Sequence, residues 1–138
     1  ANKAIIDNGC TSNVCSHDWL QCFEKLSNKR FVRIPVEGHK KHFVFGAGKP
    51  KPEIYRTRLE LDLFGHRVQV VTSVVEGDST PFLISREQLA KWDAVIGVKD
   101  NELTLTIDGQ LIKYICPASS SNLMLLDLLG HKELKQWY

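Results

Sequence analysis

The chain has 138 residues, of which 43% are hydrophobic and 25% are charged, and its formal net charge is +2. This length fits a single domain with one core, and the composition is ordinary for a globular protein. The small net charge does not by itself favour nucleic-acid binding. The longest apolar run is far shorter than the roughly 18–20 residues that a membrane helix needs.

Cysteine usage bears on the compartment and on metal binding. A chain of this size can bury a core without disulfides, so we expect free thiols. With no secretion signal recognisable at Ala1–Ile6, the expected location is cytoplasmic and reducing. Cysteine and histidine, the ligand types of a zinc site, occur close together, but their spacing C-x4-C-x-H-x4-C is not that of a zinc finger or knuckle. We therefore expect no metal and no cofactor. The residues concerned are Cys10, Cys15, His17 and Cys22, with Cys116 as the remaining cysteine.

The first predicted element is a short apolar strand over Ala4–Ile6, which runs directly into Asp7, Asn8 and Gly9. Hydrolysis of a peptide by carboxylates needs a water held between two of them, one ionised as the base and one protonated as the acid. Two carboxyl groups held about 3 Å apart share a proton in this way. A buried strand end followed by a turn would mount such a group rigidly. Asn-Gly is also a strong turn signal in its own right, so the segment alone equally predicts a plain turn.

The following segments predict a helix near His17–Lys25 and then two hairpins. Alternating runs over Arg58–Phe64 and Arg67–Val71 surround Gly65-His66, the pattern of two strands joined by a tight turn. Farther along the chain, alternating runs flank an Asp-Gly pair, which is typical of a two-residue hairpin turn. The second hairpin comprises Leu103–Ile107, Asp108-Gly109 and Gln110–Ile115.

Two further helices are predicted from capping signals. Ser85 followed by Gln88 matches a capping box and predicts a helix over Arg86–Trp92. The apolar run Leu123–Leu129 is followed by Gly130, a residue that often ends a helix, so a helix is expected there too.

In this order, the segments resemble the retropepsin-like aspartic proteases of retroviruses and LTR retrotransposons. The catalytic motif of that family is Asp, then Thr or Ser, then Gly, after two apolar residues; it stands here as Ile5-Ile6-Asp7-Asn8-Gly9. The glycine-rich flap of the family resembles Phe43–Gly48, its second signature resembles Pro81–Arg86, and its closing strand resembles Ala94–Val98. The resemblance covers roughly residues 4–107.

The resemblance implies an all-β, retropepsin-like closed barrel over residues 1–116 with one or two short helices, followed by a C-terminal extension over 117–138. It also implies a homodimer in which each protomer supplies one Asp7, with a peptide or polyprotein as the substrate. The expected catalytic residues are Asp7, Asn8 and Gly9. The expected substrate-binding residues are Phe45, Gly46, Ala47, Gly48, Leu83 and Ile84.

One departure from the family pattern leaves a second interpretation open. Asn8 replaces the Thr or Ser whose hydroxyl bonds across the dimer in that family; a further departure, Ser85 in place of a glycine, carries little weight. The alternative is therefore a catalytically inactive dimerisation or protein-binding module of the same fold. A basic cluster around the flap suits RNA contact or, as we favour, a solvated edge that discourages aggregation. It comprises His39, Lys40, Lys41, His42, Lys49 and Lys51; neither a membrane nor a nucleic-acid partner is expected.

Overall fold

The computed structural model of the protein describes residues 2–45, 48–77, 80–117 and 123–129. This part of the chain consists mostly of strands with two short helices, which confirms the all-β prediction. The strands are β1 (Lys3–Ile6), β2 (Val14–Ser16), β3 (Arg33–Ile34), β4 (His42–Phe43), β5 (Lys51–Leu63), β6 (His66–Val75), β7 (Phe82–Ile84), β8 (Val95–Gly97), β9 (Glu102–Ile107), β10 (Gln110–Ile115) and β11 (Leu125–Asp127); the helices are α1 (His17–Ser27) and α2 (Arg86–Lys91).

The strands form one large and one small sheet. The large sheet has the order β11-β1-β7-β2-β6-β5-β3, with β4 also paired to β5, and the small sheet has the order β10-β9-β8. Among the described strands, β11 and β3 are the edges of the large sheet, so hydrogen bonds do not close it. The expected closed barrel is therefore corrected to one large and one small sheet.

Local sequence signals account for the helices and hairpins. Helix α1 lies where a helix was predicted, and Ser85 caps α2 by accepting a hydrogen bond from the Gln88 N–H. In the β9–β10 hairpin, Asp108 and Gly109 have φ values of 51° and 76°, as a type I′ turn requires. The β5–β6 hairpin is longer than predicted and turns at Phe64 and Gly65, with φ values of 53° and 85°, rather than at Gly65-His66.

The prediction of a helix over Leu123–Leu129 is wrong. Leu125–Asp127 forms the strand β11, which pairs antiparallel with β1 in the register Ala4↔Leu126. An apolar run of this length is compatible with either a buried strand or a helix. Here the edge of β1 that β7 leaves unpaired offers hydrogen bonds to a strand, so the run becomes β11. The C-terminal segment thus adds a strand to the sheet that carries Asp7.

The site is positioned by the order of β1, β7 and β2 in the large sheet. Strand β7 lies between β1, to which it is parallel, and β2, to which it is antiparallel. Because β1 and β2 are consecutive in the chain but not neighbours in the sheet, residues 7–13 must pass across the end of β7. The main core beneath this crossing draws buried side chains from α1 and from both sheets, among them Leu20, Phe23, Leu59, Phe82, Leu103 and Leu126.

Candidate active site

Asp7 stands at the start of the loop that crosses the end of β7. Its backbone N–H donates to the Ile84 carbonyl at 3.0 Å, and its carbonyl accepts from the Cys10 N–H at 3.1 Å. Its carboxylate accepts the Gly9 N–H at 3.1 Å, as in an Asx turn. A Cβ at position 9 would lie 3.4 Å from Asp7 Oδ1, which is an ordinary van der Waals contact, so space alone does not require glycine here. The result is a half-exposed carboxylate on a turn fixed by its neighbours.

Asn13 holds the far end of the same loop. Its side-chain oxygen accepts the Ser85 N–H at 2.8 Å, and its amide nitrogen donates to the Val71 carbonyl at 3.0 Å and to Gln88 Oε1 at 3.2 Å. The Arg86 N–H adds a bond to the Cys10 carbonyl at 2.8 Å. The Asp7 loop is therefore joined to β6 and to the start of α2. We call the Asn13 side chain with these partners the amide hub.

Glu53 holds the base of the flap. Its carboxylate accepts the Lys41 N–H at 2.9 Å and the Ser73 hydroxyl at 2.7 Å, and it forms an ion pair with Arg56 at 2.7 Å. Burial raises the pKa of Glu53, but the hydrogen bonds from Arg56, Lys41 and Ser73 outweigh it and lower the pKa to about 2. Glu53 is consequently ionised and fully buried. We call Glu53 with these partners the carboxylate hub.

A small apolar cluster lies between the flap and the Asp7 turn. Phe45 of the flap stacks on Phe43 with ring centroids 6.3 Å apart. Cys10, Leu83 and Phe45 pack against the buried core of this cluster, formed by Val14, Phe43 and Val75. Burial, and more weakly the Asp7 carboxylate, raise the pKa of the Cys10 thiol, which therefore stays neutral beside Asp7. The cluster is an apolar surface next to the carboxylate.

The predicted site residues differ in how the structure places them. Asp7, Asn8 and Gly9 share one turn, and Phe45 and Leu83 meet in the apolar cluster beside it. Ile84 has no exposed surface, so it supports Asp7 through its backbone carbonyl rather than through its side chain. Gly48 donates its N–H to the Phe45 carbonyl at 3.1 Å, while Gly46 and Ala47 lie outside the described residues.

The structure also bears on the cysteines, on a possible metal site and on a possible membrane helix. All four cysteines are free. Among the described residues, no three His, Cys, Asp or Glu side chains lie close enough together to hold a metal ion. In the same part of the chain, neither helix has the length and apolar character required to cross a membrane.

Asn13 and Glu53 were not identified from the sequence. Gln88 was identified, but as the second half of a capping box, which would have bonded to the Ser85 N–H. In the structure Asn13 takes that N–H, and Gln88 bonds to Asn13 instead. Locally, Asn13 is a polar residue just before the short strand β2, and Glu53 is one of several charged residues in β5. Neither pattern distinguishes a buried hub from an exposed polar position.

Comparison with known proteins supports the fold. No protein-family model matches the chain, and no curated protein matches its sequence. Among solved structures, the chain is similar to the retroviral protease-like domain of Ddi1 from Leishmania major, with a TM-score of 0.52 and 16% sequence identity. The similarity covers 89% of this chain and 78% of that one. At this identity the likeness shows a retropepsin-like fold.

Proposed function

We propose that the chain is an aspartic endopeptidase that cleaves extended peptides as a homodimer, with one Asp7 from each protomer. The observation that carries this proposal is the half-exposed Asp7 carboxylate, presented by a turn bonded to β7 and followed by Gly9. Within the described residues, Asp7 has no hydrogen bond or ion pair to a second carboxylate, so in this proposal the second carboxylate would be the Asp7 of another protomer.

Two such carboxyl groups would share one proton, because both cannot be ionised at close range. The ionised Asp7 would take a proton from the water that attacks the scissile carbonyl, and the protonated one would give its proton to the carbonyl oxygen. The peptide would lie as an added strand between the turn and the flap. Apolar side chains would then meet the surface formed by Cys10, Phe45 and Leu83.

The test compares peptide cleavage by the parent chain, by Asp7→Asn and by the matched variant Asp62→Asn, whose side chain is exposed in the β5–β6 hairpin. We expect cleavage in mild acid, full activity in Asp62→Asn, and a loss of several orders of magnitude in Asp7→Asn. Sedimentation at micromolar concentration should show a dimer. A strict monomer, or equal cleavage by Asp7→Asn, would contradict the proposal.

The second candidate is an inactive dimerisation or protein-binding module. The observation that favours it is Asn8, whose exposed side chain makes no hydrogen bond within the described residues, where a protease of this type uses a hydroxyl. If the chain is such a module, it should sediment as a dimer but cleave no peptide at any pH. The same two measurements therefore separate the two functions.

A further inference from the structure

A polar cleft of about 260 Å³ opens beside the Asp7 loop. Its walls come from the base of the flap, from β5 and β6, and from α2. Ser12 and Asn13 line it, so the loop that begins at Asp7 continues directly into it. The cleft is thus separate from the apolar cluster but within a few residues of the carboxylate along the chain.

The orientation of the Gln88 amide shows what the cleft lacks. Because the Ser85 N–H fixes the Asn13 oxygen, Asn13 must turn its NH₂ group toward Val71 and Gln88. Gln88 then presents its oxygen to Asn13 at 3.2 Å, and its own NH₂ group is left over. This NH₂ has no acceptor among the described residues, although Gln88 is only 8% exposed. A buried donor without a partner is unfavourable, so an acceptor supplied by a ligand would be favourable.

The charges around this amide favour an anionic acceptor. Lys41, Arg56 and Lys91 line the cleft together with a single acidic residue, Glu87. Arg56 is neutralised by the carboxylate hub, and Lys91 lies 3.8 Å from Glu87. Lys41 makes its side-chain hydrogen bond with a neutral hydroxyl, that of Ser12, at 3.2 Å. The cleft therefore offers an uncompensated ammonium and an amide donor.

We propose that this cleft binds the carboxylate of an Asp or Glu side chain of a peptide, a few residues from the bond to be cleaved. The ammonium and the amide NH₂ can each donate to one of the two oxygens of a carboxylate. Ser12 of the cleft lies five residues after Asp7, so their Cα atoms are at most about 18 Å apart, and an extended peptide advancing about 3.3 Å per residue spans this within about six residues. The inference rests on the proposed function for the identity of the peptide as a substrate.

Binding is tested by NMR on the 138-residue chain carrying Asp7→Asn, so that cleavage plays no part. The probes are Ac-Ala-Glu-Ala-NH₂, Ac-Ala-Gln-Ala-NH₂ and inorganic phosphate. We expect the glutamate peptide to shift the Gln88 side-chain amide and the Ser12 backbone amide, and to bind roughly tenfold more tightly than the glutamine peptide. Lys41→Gln should remove this preference, whereas Lys113→Gln, an equal charge change on β10, should preserve it.

Equal affinity for the two peptides would overturn the inference, as would an equal effect of Lys113→Gln or shifts produced by phosphate alone. A second variant, Gln88→Met, keeps the length of the side chain and removes both the free donor and the oxygen that accepts from Asn13, which keeps its bond to the Val71 carbonyl; it should also abolish the preference while its folded spectrum is retained. If the glutamate preference is found in a chain that never cleaves peptides, the cleft assignment stands and the peptidase function fails. If cleavage is found without the glutamate preference, the peptidase function stands and the cleft assignment fails.

Discussion

The amide hub and the carboxylate hub both bond to β6, and they perform similar tasks with different chemistry. Asn13 joins the Asp7 loop to β6 and α2, and Glu53 joins the base of the flap to β5 and β6. Both side chains are buried. An amide donates and accepts, so Asn13 satisfies one N–H and two oxygens. An ionised carboxylate only accepts, so Glu53 gathers donors.

This difference separates the two regions by their dependence on pH. The amide hub contains no titrating group, so the hydrogen bonds that Asn13 makes should be insensitive to acid. The carboxylate hub holds the flap only while Glu53 is ionised. Because the pKa of Glu53 is about 2, the flap base remains intact in the mild acid that a pair of aspartates requires.

The largest expected effect comes from removing the carboxylate hub. Glu53→Leu leaves the Lys41 N–H, the Ser73 hydroxyl and the Arg56 charge without their acceptor, and we expect the free energy of unfolding to fall by about 3–5 kcal/mol. Urea denaturation at neutral pH measures it. The control is Glu60→Leu, at an exposed position of the same strand, which should change stability by less than about 0.5 kcal/mol. Similar losses in the two variants would show that Glu53 has no special role.

Acid titration of the parent chain tests the same hub without removing it. A carboxyl group whose pKa is lowered on folding stabilises the protein above its unfolded pKa and loses that contribution as the pH falls. For Glu53, whose pKa moves from 4.5 to about 2, we expect about 3 kcal/mol to be lost between these pH values. Glu24, whose pKa is lowered chiefly by the hydrogen bond from Arg33, acts in the same direction.

The contribution of Glu53 is therefore the difference between the parent and Glu53→Gln, measured by urea denaturation at several pH values. The variant should be less stable at neutral pH and should lose less stability in acid. Parallel curves would mean that Glu53 does not carry the acid dependence.

The predictable parts of the molecule are those fixed by neighbours in sequence. The Asp108-Gly109 turn and the Ser85 cap follow from residues within a few positions, and both were predicted. The turn at Phe64 was missed because a bulky residue rarely adopts positive φ. Strand β11 was missed because its partner β1 lies more than a hundred residues away in the chain.

The site shows the same division. Asp7 and Gly9 were predicted, since a strand, an acid and a glycine lie together in the sequence. Asn13 bonds to residues 58, 72 and 75 positions away, and Glu53 bonds to Ser73 20 positions away. No local pattern distinguishes such residues from exposed polar ones, because their partners are brought near only by the strand order.

A charge placed in the amide hub tests whether its neutrality matters. Asn13→Asp can still accept the Ser85 N–H, but its second oxygen faces the Val71 carbonyl and Gln88 Oε1, both acceptors. We expect a loss of about 2 kcal/mol at neutral pH, partly regained in acid, where the protonated carboxyl again supplies a donor. The pH dependence is thus opposite in sign to that of Glu53. The control is Asn101→Asp, the same change at a partly exposed turn residue, which should not regain stability in acid. If Asn13→Asp also failed to regain stability in acid, the role assigned to Asn13 would be contradicted.

The mildest test concerns the tip of the Asp7 loop, which the amide hub does not reach. Asn8 is exposed and makes no hydrogen bond among the described residues, so Asn8→Thr should change the stability of the protomer by less than about 0.5 kcal/mol. If the tip instead faces a second protomer, a Thr hydroxyl that bonds across the two-fold axis contributes about 0.5–1.5 kcal/mol from each chain. The dimer dissociation constant should then fall, and the cleavage rate should rise with dimer occupancy. Sedimentation and peptide cleavage, measured side by side for parent and variant, separate these effects. A weaker dimer would mean that Asn8 already bonds across the interface through its own amide, and no change in either quantity would mean that it is a passive turn residue.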